Sequence, residues 1–130
     1  MSPNVPEDVH WLVTERLPEM DHVDALLFLV RADGTPRSIA DILAETTISA
    51  SAVDGVLRHL IDKGLVIRKD VGGEVRFVYQ PEGMQARLAV ESLTRMYEMR
   101  PVSLIRFIYE RPPVAAKLFA DAFRLRKPSP

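Results

Sequence analysis

The sequence contains no cysteine, and that absence removes several chemistries at once. There can be no disulfide, no thiol nucleophile, no thiolate zinc site, no iron–sulfur cluster and no cysteine-based redox sensor. Long apolar runs are missing as well. The longest wholly apolar stretch is Ala25 to Val30, whereas a membrane-spanning helix needs about 20 such residues. The start of the chain is acidic and lacks the basic-then-apolar order of a signal peptide, so a soluble, cytoplasmic protein with no membrane association is expected. Catalytic signatures are equally scarce. There is no glycine-rich phosphate loop, no His-Glu zinc motif and no Ser/His/Asp pattern. The three histidines, His10, His22 and His59, are too scattered for metal-ligand spacing and are expected on the surface or at helix caps. The chain is therefore expected not to be an enzyme and to hold no metal or cofactor.

What is present is concentrated between Ser38 and Gln80, in SIADILAETTISASAVDGVLRHLIDKGLVIRKDVGGEVRFVYQ. Ser38 can cap a helix whose inward residues are Ile39, Ile42 and Leu43, with the Asp41 carboxylate near its positive end. Ser49 offers a second cap. Beyond it Ala52, Val53, Val56, Leu57, Leu60 and Ile61 recur at three- and four-residue intervals, leaving Ser51, Asp54, Gly55, Arg58 and His59 toward the edges or outside. Gly64 can end that helix in the left-handed region. Leu65, Val66 and Ile67 then pair across Gly72-Gly73 with Val75, Phe77 and Tyr79, the signal of a short-loop hairpin. Helix, turn, helix, hairpin is the order of a winged helix: a recognition helix at about 49–63, and a wing at 65–80.

The flanks read as helical extensions. At 130 residues one domain is expected, burying roughly two-thirds of its unfolded surface if it folds alone. Its parts are an N-terminal tail and helix at 1–20, the winged unit at 21–80 and a C-terminal helical arm at 81–130. Glu7 to Leu17 forms a short helix with Val9, Leu12, Val13 and Leu17 inward and Trp11 at the margin. The helix after Pro18 turns Val23, Leu26, Leu27 and Val30 inward, and ends before Asp33-Gly34-Thr35-Pro36. Beyond Pro81-Glu82-Gly83, Ala86, Ala89, Leu93, Met96 and Met99 mark one helical face, continued by Leu104, Ile105 and Ile108. Pro101 should kink or break this segment near Met99 to Arg100. A final helix is expected from Val114 to about Leu125, after Pro112-Pro113. The fold class is mainly α with a small β-hairpin, and the arm carries more apolar surface than a small winged unit needs. A homodimer through Leu88, Leu93, Met96, Leu104, Ile105 and Ile108 would cover it; the alternative is an arm folded back on its own core. Trp11, Tyr97, Phe107, Tyr109, Phe119 and Phe123 read as core or interface packing before effector-pocket lining.

Residues 21 to 80 resemble the winged helix-turn-helix domain of bacterial transcriptional regulators. VDGVLRHLIDKGLVIR is similar to the helix, Gly-Leu-Val, wing segment of the MarR-like and PadR-like groups, and PVSLIRFIYERPPVAAKLFADAFRLRKP looks like the tail of small bacterial winged-helix proteins. The resemblance implies double-stranded DNA as partner, with the recognition helix in the major groove and the wing on the backbone. It implicates Ser49, Ser51, Asp54, Arg58, His59, Arg68, Lys69 and Arg76. Charge departs from that pattern. Residues 21–80 hold seven Lys and Arg against nine Asp and Glu, a balance of −2, while residues 81–130 hold nine against five, a balance of +4, with Arg124, Arg126 and Lys127 near the end. Non-specific DNA affinity is largely electrostatic, so the winged unit supplies little of it. A winged-helix adaptor that binds a protein and does not read DNA is the competing expectation.

Overall fold

A computed structural model describes residues 5–110. Six helices and one hairpin follow in the order α1 (Glu7–Arg16), α2 (Met20–Arg31), α3 (Ile39–Glu45), α4 (Val53–Asp62), β1 (Val66–Val71), β2 (Glu74–Tyr79), α5 (Met84–Met99) and α6 (Pro101–Glu110). The fold is mainly α with one antiparallel hairpin, in winged-helix order. One apolar core gathers side chains from all of these helices and from the root of the hairpin. The expected helix at Val114 to Leu125 and the basic residues Arg124, Arg126 and Lys127 lie outside the described residues, as do Phe119 and Phe123.

Local chemistry accounts for the boundaries. Ser38 and Asp41 form a reciprocal capping box at the start of α3: the Ser38 hydroxyl accepts from the Asp41 N–H at 3.2 Å, and the Asp41 carboxylate accepts from the Ser38 N–H at 3.0 Å. Two of the helix's orphan donors are satisfied this way. At the far end of α4, Gly64 has φ +73°, its N–H donates to the Ile61 carbonyl, and the Leu65 N–H reaches back to the Leu60 carbonyl. That is the Schellman arrangement, which satisfies carbonyls the helix would otherwise strand. Gly72 and Gly73, with φ +59° and +84°, form the two-residue turn of the hairpin and bring Val71 opposite Glu74, the left-handed pair a type I′ turn requires. Arg37 adds a further rung by exchanging two backbone hydrogen bonds with Phe77, at 2.9 and 2.8 Å. The loop after α2 is thereby stitched to the wing.

Several inward faces differ from expectation in detail. In α2, Leu29, Ala25 and His22 are buried while Val30 is only partly so. The apolar stripe is thus wider than a strict three-four repeat, because α2 is covered by α3, α4, α6 and β2. His22, expected at a surface or cap, is 6% exposed and meets the His59 ring edge-on. Ser49 does not cap α4 through its hydroxyl. Its carbonyl instead accepts from the N–H groups of Ala52 and Val53, so a turn precedes the helix proper at Val53. Pro101 does break the arm: Arg100 leaves helical geometry at φ −141°, ψ 60°, and Pro101 begins α6, the position where its missing N–H costs nothing.

The arm is packed on its own subunit along one side. α5 lies against α1, where Ser92 donates to the Asp8 carboxylate, and α6 returns toward α2 while its Phe107 lies against His10 of α1. Leu93, Met96, Leu104 and Ile108, expected to face a partner, are buried within the single chain. Leu88 and Ile105 from the same set are exposed. Met99, expected inward, is 78% exposed at the last position of α5, just before the chain leaves helical geometry at Arg100.

Gly64 is the boundary that tolerates least. A Cβ there would lie 2.5 Å from the Glu82 Oε2 atom, on a backbone already in the left-handed region. Gly64→Ala is expected to destabilise the fold by about 1 kcal/mol or more, read as a lower denaturant midpoint at unchanged m. Gly34→Ala, with the same sign of φ but open space around it, should cost less.

Candidate nucleic-acid interface

The surface of α4 is set by the face it buries. Val53, Val56, Leu57 and Leu60 point inward, so Ser51 in the preceding turn and Asp54, Gly55, Arg58, Ile61 and Asp62 in the helix lie outside. Asp54 and Arg58 are one turn apart and joined by an ion pair at 2.6 Å, with the Arg58 side chain 79% exposed. Ser49 and Ser51 stand at the N-terminal end of this face with their hydroxyls 3.2 Å apart. The outer face therefore offers hydroxyls, a carboxylate, a guanidinium and a stretch of backbone without a side chain.

His59 is the expected site residue that this face does not include. Its Nε2 atom lies 2.9 Å from the Arg16 carbonyl at the end of α1, and its ring meets that of His22. Arg16 completes a reciprocal clasp by donating from its guanidinium to the Lys63 carbonyl at 2.6 Å, while the same guanidinium lies over the Trp11 ring. Two helix C-termini are thus each satisfied by a side chain from the other, where cationic groups are favoured by the helix dipole. Sequence reading missed Arg16. Its only signal was a basic residue in the last turn of a helix, which does not say which carbonyl it will reach.

On the hairpin, Lys69 faces Arg76 directly across the strands, and Arg68 faces Phe77 on the other side of the pleat. Arg76 is held by Glu74 at 2.7 Å, and Arg68 stands 3.9 Å from Asp70. Lys69 makes no ion pair among the described residues. Ser51, Asp54, Arg58 and the three wing cations thus sit on two adjoining elements, α4 and the hairpin that follows it through Gly64 and Leu65. Arg37, bonded to β2 through its backbone, is a further cation beside the wing that residue pattern alone did not single out. Asp41, at the start of α3, has its carboxyl held below the usual carboxylate range, first by the backbone N–H of Ser38, then by its hydroxyl and by the charges of Arg37 and Arg76.

A family model described as the MarR family matches residues 17–74, from the end of α1 to the first residue of β2. This segment is similar to the MarR-family winged helix. The family domain supports a DNA-binding transcriptional regulator, and MarR-family proteins are transcription regulators rather than enzymes. Comparison with curated proteins and with solved structures gave no match. The matched segment holds α3, α4 and β1, the helix-turn-helix pair and the first strand of the hairpin. No helix among the described residues is long and apolar enough to cross a membrane, and none of their carboxylates and histidines gather into a metal-binding group.

A groove of about 680 Å³ lies away from the outer face of α4. It is lined by Val30, Asp33, Tyr79, Arg87, Glu91 and Arg95 among others. Burial pushes the Tyr79 phenol up to about 12, against the pull of Arg87, so Tyr79 is a neutral hydrogen-bonding group there.

The capping box at the start of α3 yields a pH dependence. Because the folded-state pKa of Asp41 is depressed, its contribution is present above the unfolded carboxylate range and is lost as pH falls through the folded value. Ser38→Ala should cost about 1 kcal/mol near neutrality. Asp41→Asn should likewise be less stable than wild type at about pH 7, with the gap narrowing as pH falls below the usual carboxylate range. Urea midpoints across that range measure it; a gap independent of pH would mean that the carboxylate charge plays no part in the cap.

Proposed function

We propose that this chain is a homodimeric DNA-binding transcriptional regulator in which the outer face of α4 enters the major groove and the β1–β2 hairpin rests on the phosphate backbone. The observation that carries the reading is the position of Arg58: it stands fully outward on the second helix of a MarR-family helix-turn-helix, the position from which an arginine can hold the O6 and N7 atoms of a guanine bidentately. Ser49, Ser51 and Asp54 flank it, and Arg68, Lys69 and Arg76 are assigned to phosphates. His59 is assigned to holding α4 against α1 and not to DNA.

The ion pairs on this surface do not oppose the assignment. Exposed pairs are worth about 0–1 kcal/mol, so a phosphate or a guanine edge can replace Asp54, Asp70 or Glu74 at little cost. Three wing cations per subunit would make six phosphate contacts in a dimer. At roughly 0.9 counterions per phosphate, log K against log salt should then fall with a slope of about −5. Arg76→Ala should reduce that slope by about 2 in the dimer and weaken all sequences alike, whereas Arg58→Ala should cost roughly 1–3 kcal/mol at a preferred site and relax base choice there. Salt-series binding to a selected and a random duplex tests both. Identical effects from the two changes would overturn the division of roles.

A second reading is supported by charge. Every wing arginine already has a carboxylate beside it and residues 21–80 balance at −2, which suits a winged-helix adaptor that binds a protein instead of DNA. In that case duplex would show no salt-dependent retention.

Dimerisation is assigned to the exposed side of the arm. Leu88, Met99, Val102, Ile105 and Tyr109 are exposed there, and a helix face with this much apolar surface is a candidate for self-association. Val102→Glu with Tyr109→Glu should give a folded monomer by sedimentation, because these side chains are 67% and 70% exposed in the single chain. Leu93→Glu or Leu104→Glu should instead unfold it. A wild-type chain that sediments as a monomer at high micromolar concentration would sink the dimer.

A further inference from the structure

Gly55 has no structural reason to be glycine. It sits in the third position of α4, exposed, and a Cβ built on it would meet nothing within 4 Å. It is not among the glycines with positive φ, so neither a turn nor close packing inside the subunit calls for the missing side chain. The helix is weaker for it, since glycine loses more backbone freedom on folding than alanine does. Its neighbours on the same face are Asp54 and Arg58, and the Arg58 side chain is drawn back one turn to Asp54 at 2.6 Å. The result is a notch of bare backbone in the middle of the outward face, beside a guanidinium held by a carboxylate that is itself exposed.

We infer that Gly55 is the point of closest approach between α4 and the major groove, and that it determines specificity by letting base edges come against the helix backbone while Arg58 leaves Asp54 for the duplex. Glycine is the residue that allows a backbone to approach a ligand at this range. A side chain at 55 would hold the helix off the base pairs that Arg58 must reach, and would do so without disturbing the fold. Stability and affinity should therefore move in opposite directions on substitution. A structural role would move them together.

This inference rests on the DNA-reading proposal, and the experiment separates the two. The full-length wild-type chain is used to select from a random duplex pool, and the selected duplex is titrated with wild type, Gly55→Ala and Gly55→Ser. Gly55→Ala is expected to raise Tm by roughly 2–5 °C, to bind the wild-type-selected duplex at least about ten-fold more weakly, which is the scale of one lost base contact, and to select a different base preference from the same pool. Gly55→Ser, with a similar side-chain size and a helix propensity between those of glycine and alanine, should show the same loss of affinity with a smaller rise in Tm. If both variants bind within about two-fold of wild type and select the same site, the inference is overturned while the reading head stands. Equal weakening on every sequence with unchanged base preference also overturns it, because position 55 would then face phosphate. A wild-type chain that retains no duplex at any salt concentration overturns the inference and the DNA-reading proposal together.

Discussion

Val53, Val56, Leu57 and Leu60 turn inward from α4, and burying them decides what that helix can present to anything else. Each is worth about 1.5–3 kcal/mol when fully removed from water, an upper figure because unfolded chains already hide part of their surface. A ten-residue helix with a glycine inside it is marginal on its own, whereas the outward Arg58–Asp54 pair contributes about 0.3–0.5 kcal/mol. Burial wins by an order of magnitude. The inner face therefore fixes the rotation of α4 about its axis, and the outer face is free to carry residues chosen for another purpose. Gly55 belongs to that outer set, as does Arg58.

The electrostatics of this surface follow from the same separation. A winged unit that balances at −2 has little long-range attraction for a polyanion, and Arg58, Arg68 and Arg76 each stand beside a carboxylate on the same element. Beyond about 8–10 Å such charges are screened at physiological salt, so what matters is the arrangement at contact. Lys69 and Arg76 face each other across the strands, a like-charged pair that disfavours the isolated hairpin and that a phosphate between them would relieve. In the proposed complex a smaller share of the affinity comes from non-specific attraction, and a larger share from short-range contacts made by α4. Such a protein would discriminate among sites more by fit than by charge.

Helix order, the Gly-Gly hairpin, the capping box and the break at Pro101 were legible in the sequence, because each depends on residues close together in the chain. The outward position of Asp54 and Arg58 was legible for the same reason, since three- and four-residue spacing gives a face. What was not legible depends on contacts between distant segments. His59 lies at the edge of the α4 face, and nothing in its neighbours announces that the carbonyl of Arg16 will meet it. Leu93, Met96, Leu104 and Ile108 have the spacing of an apolar face, but periodicity does not say whether the surface opposite is α1 and α2 of the same chain or a partner. Ser49 had the right side chain for a cap, but its hydroxyl lies against that of Ser51 and α4 has no side-chain cap.

The clasp between α1 and α4 connects these observations. α1 is a ten-residue helix, about 15 Å long, tied near its start to α5 through Asp8 and Ser92 and at its end to α4 through Arg16, Lys63 and His59. Its buried Val9, Leu12 and Val13 leave it no freedom to slide. α5 and the C-terminal end of α4 are thus joined through a short helix and not through a loop. If two arms pair through Val102, Ile105 and Tyr109, the separation and tilt of the two reading helices are set by this route, and half-site spacing on a palindromic duplex becomes a property of α1 as much as of the arm. The groove between α2, the end of the hairpin and α5 adjoins the same arm, so whatever fills or empties it bears on α5 from the side opposite α1. Placement of α4 is then the sum of a fixed internal packing face and an adjustable external tie, and only the second can answer to changes elsewhere in the molecule.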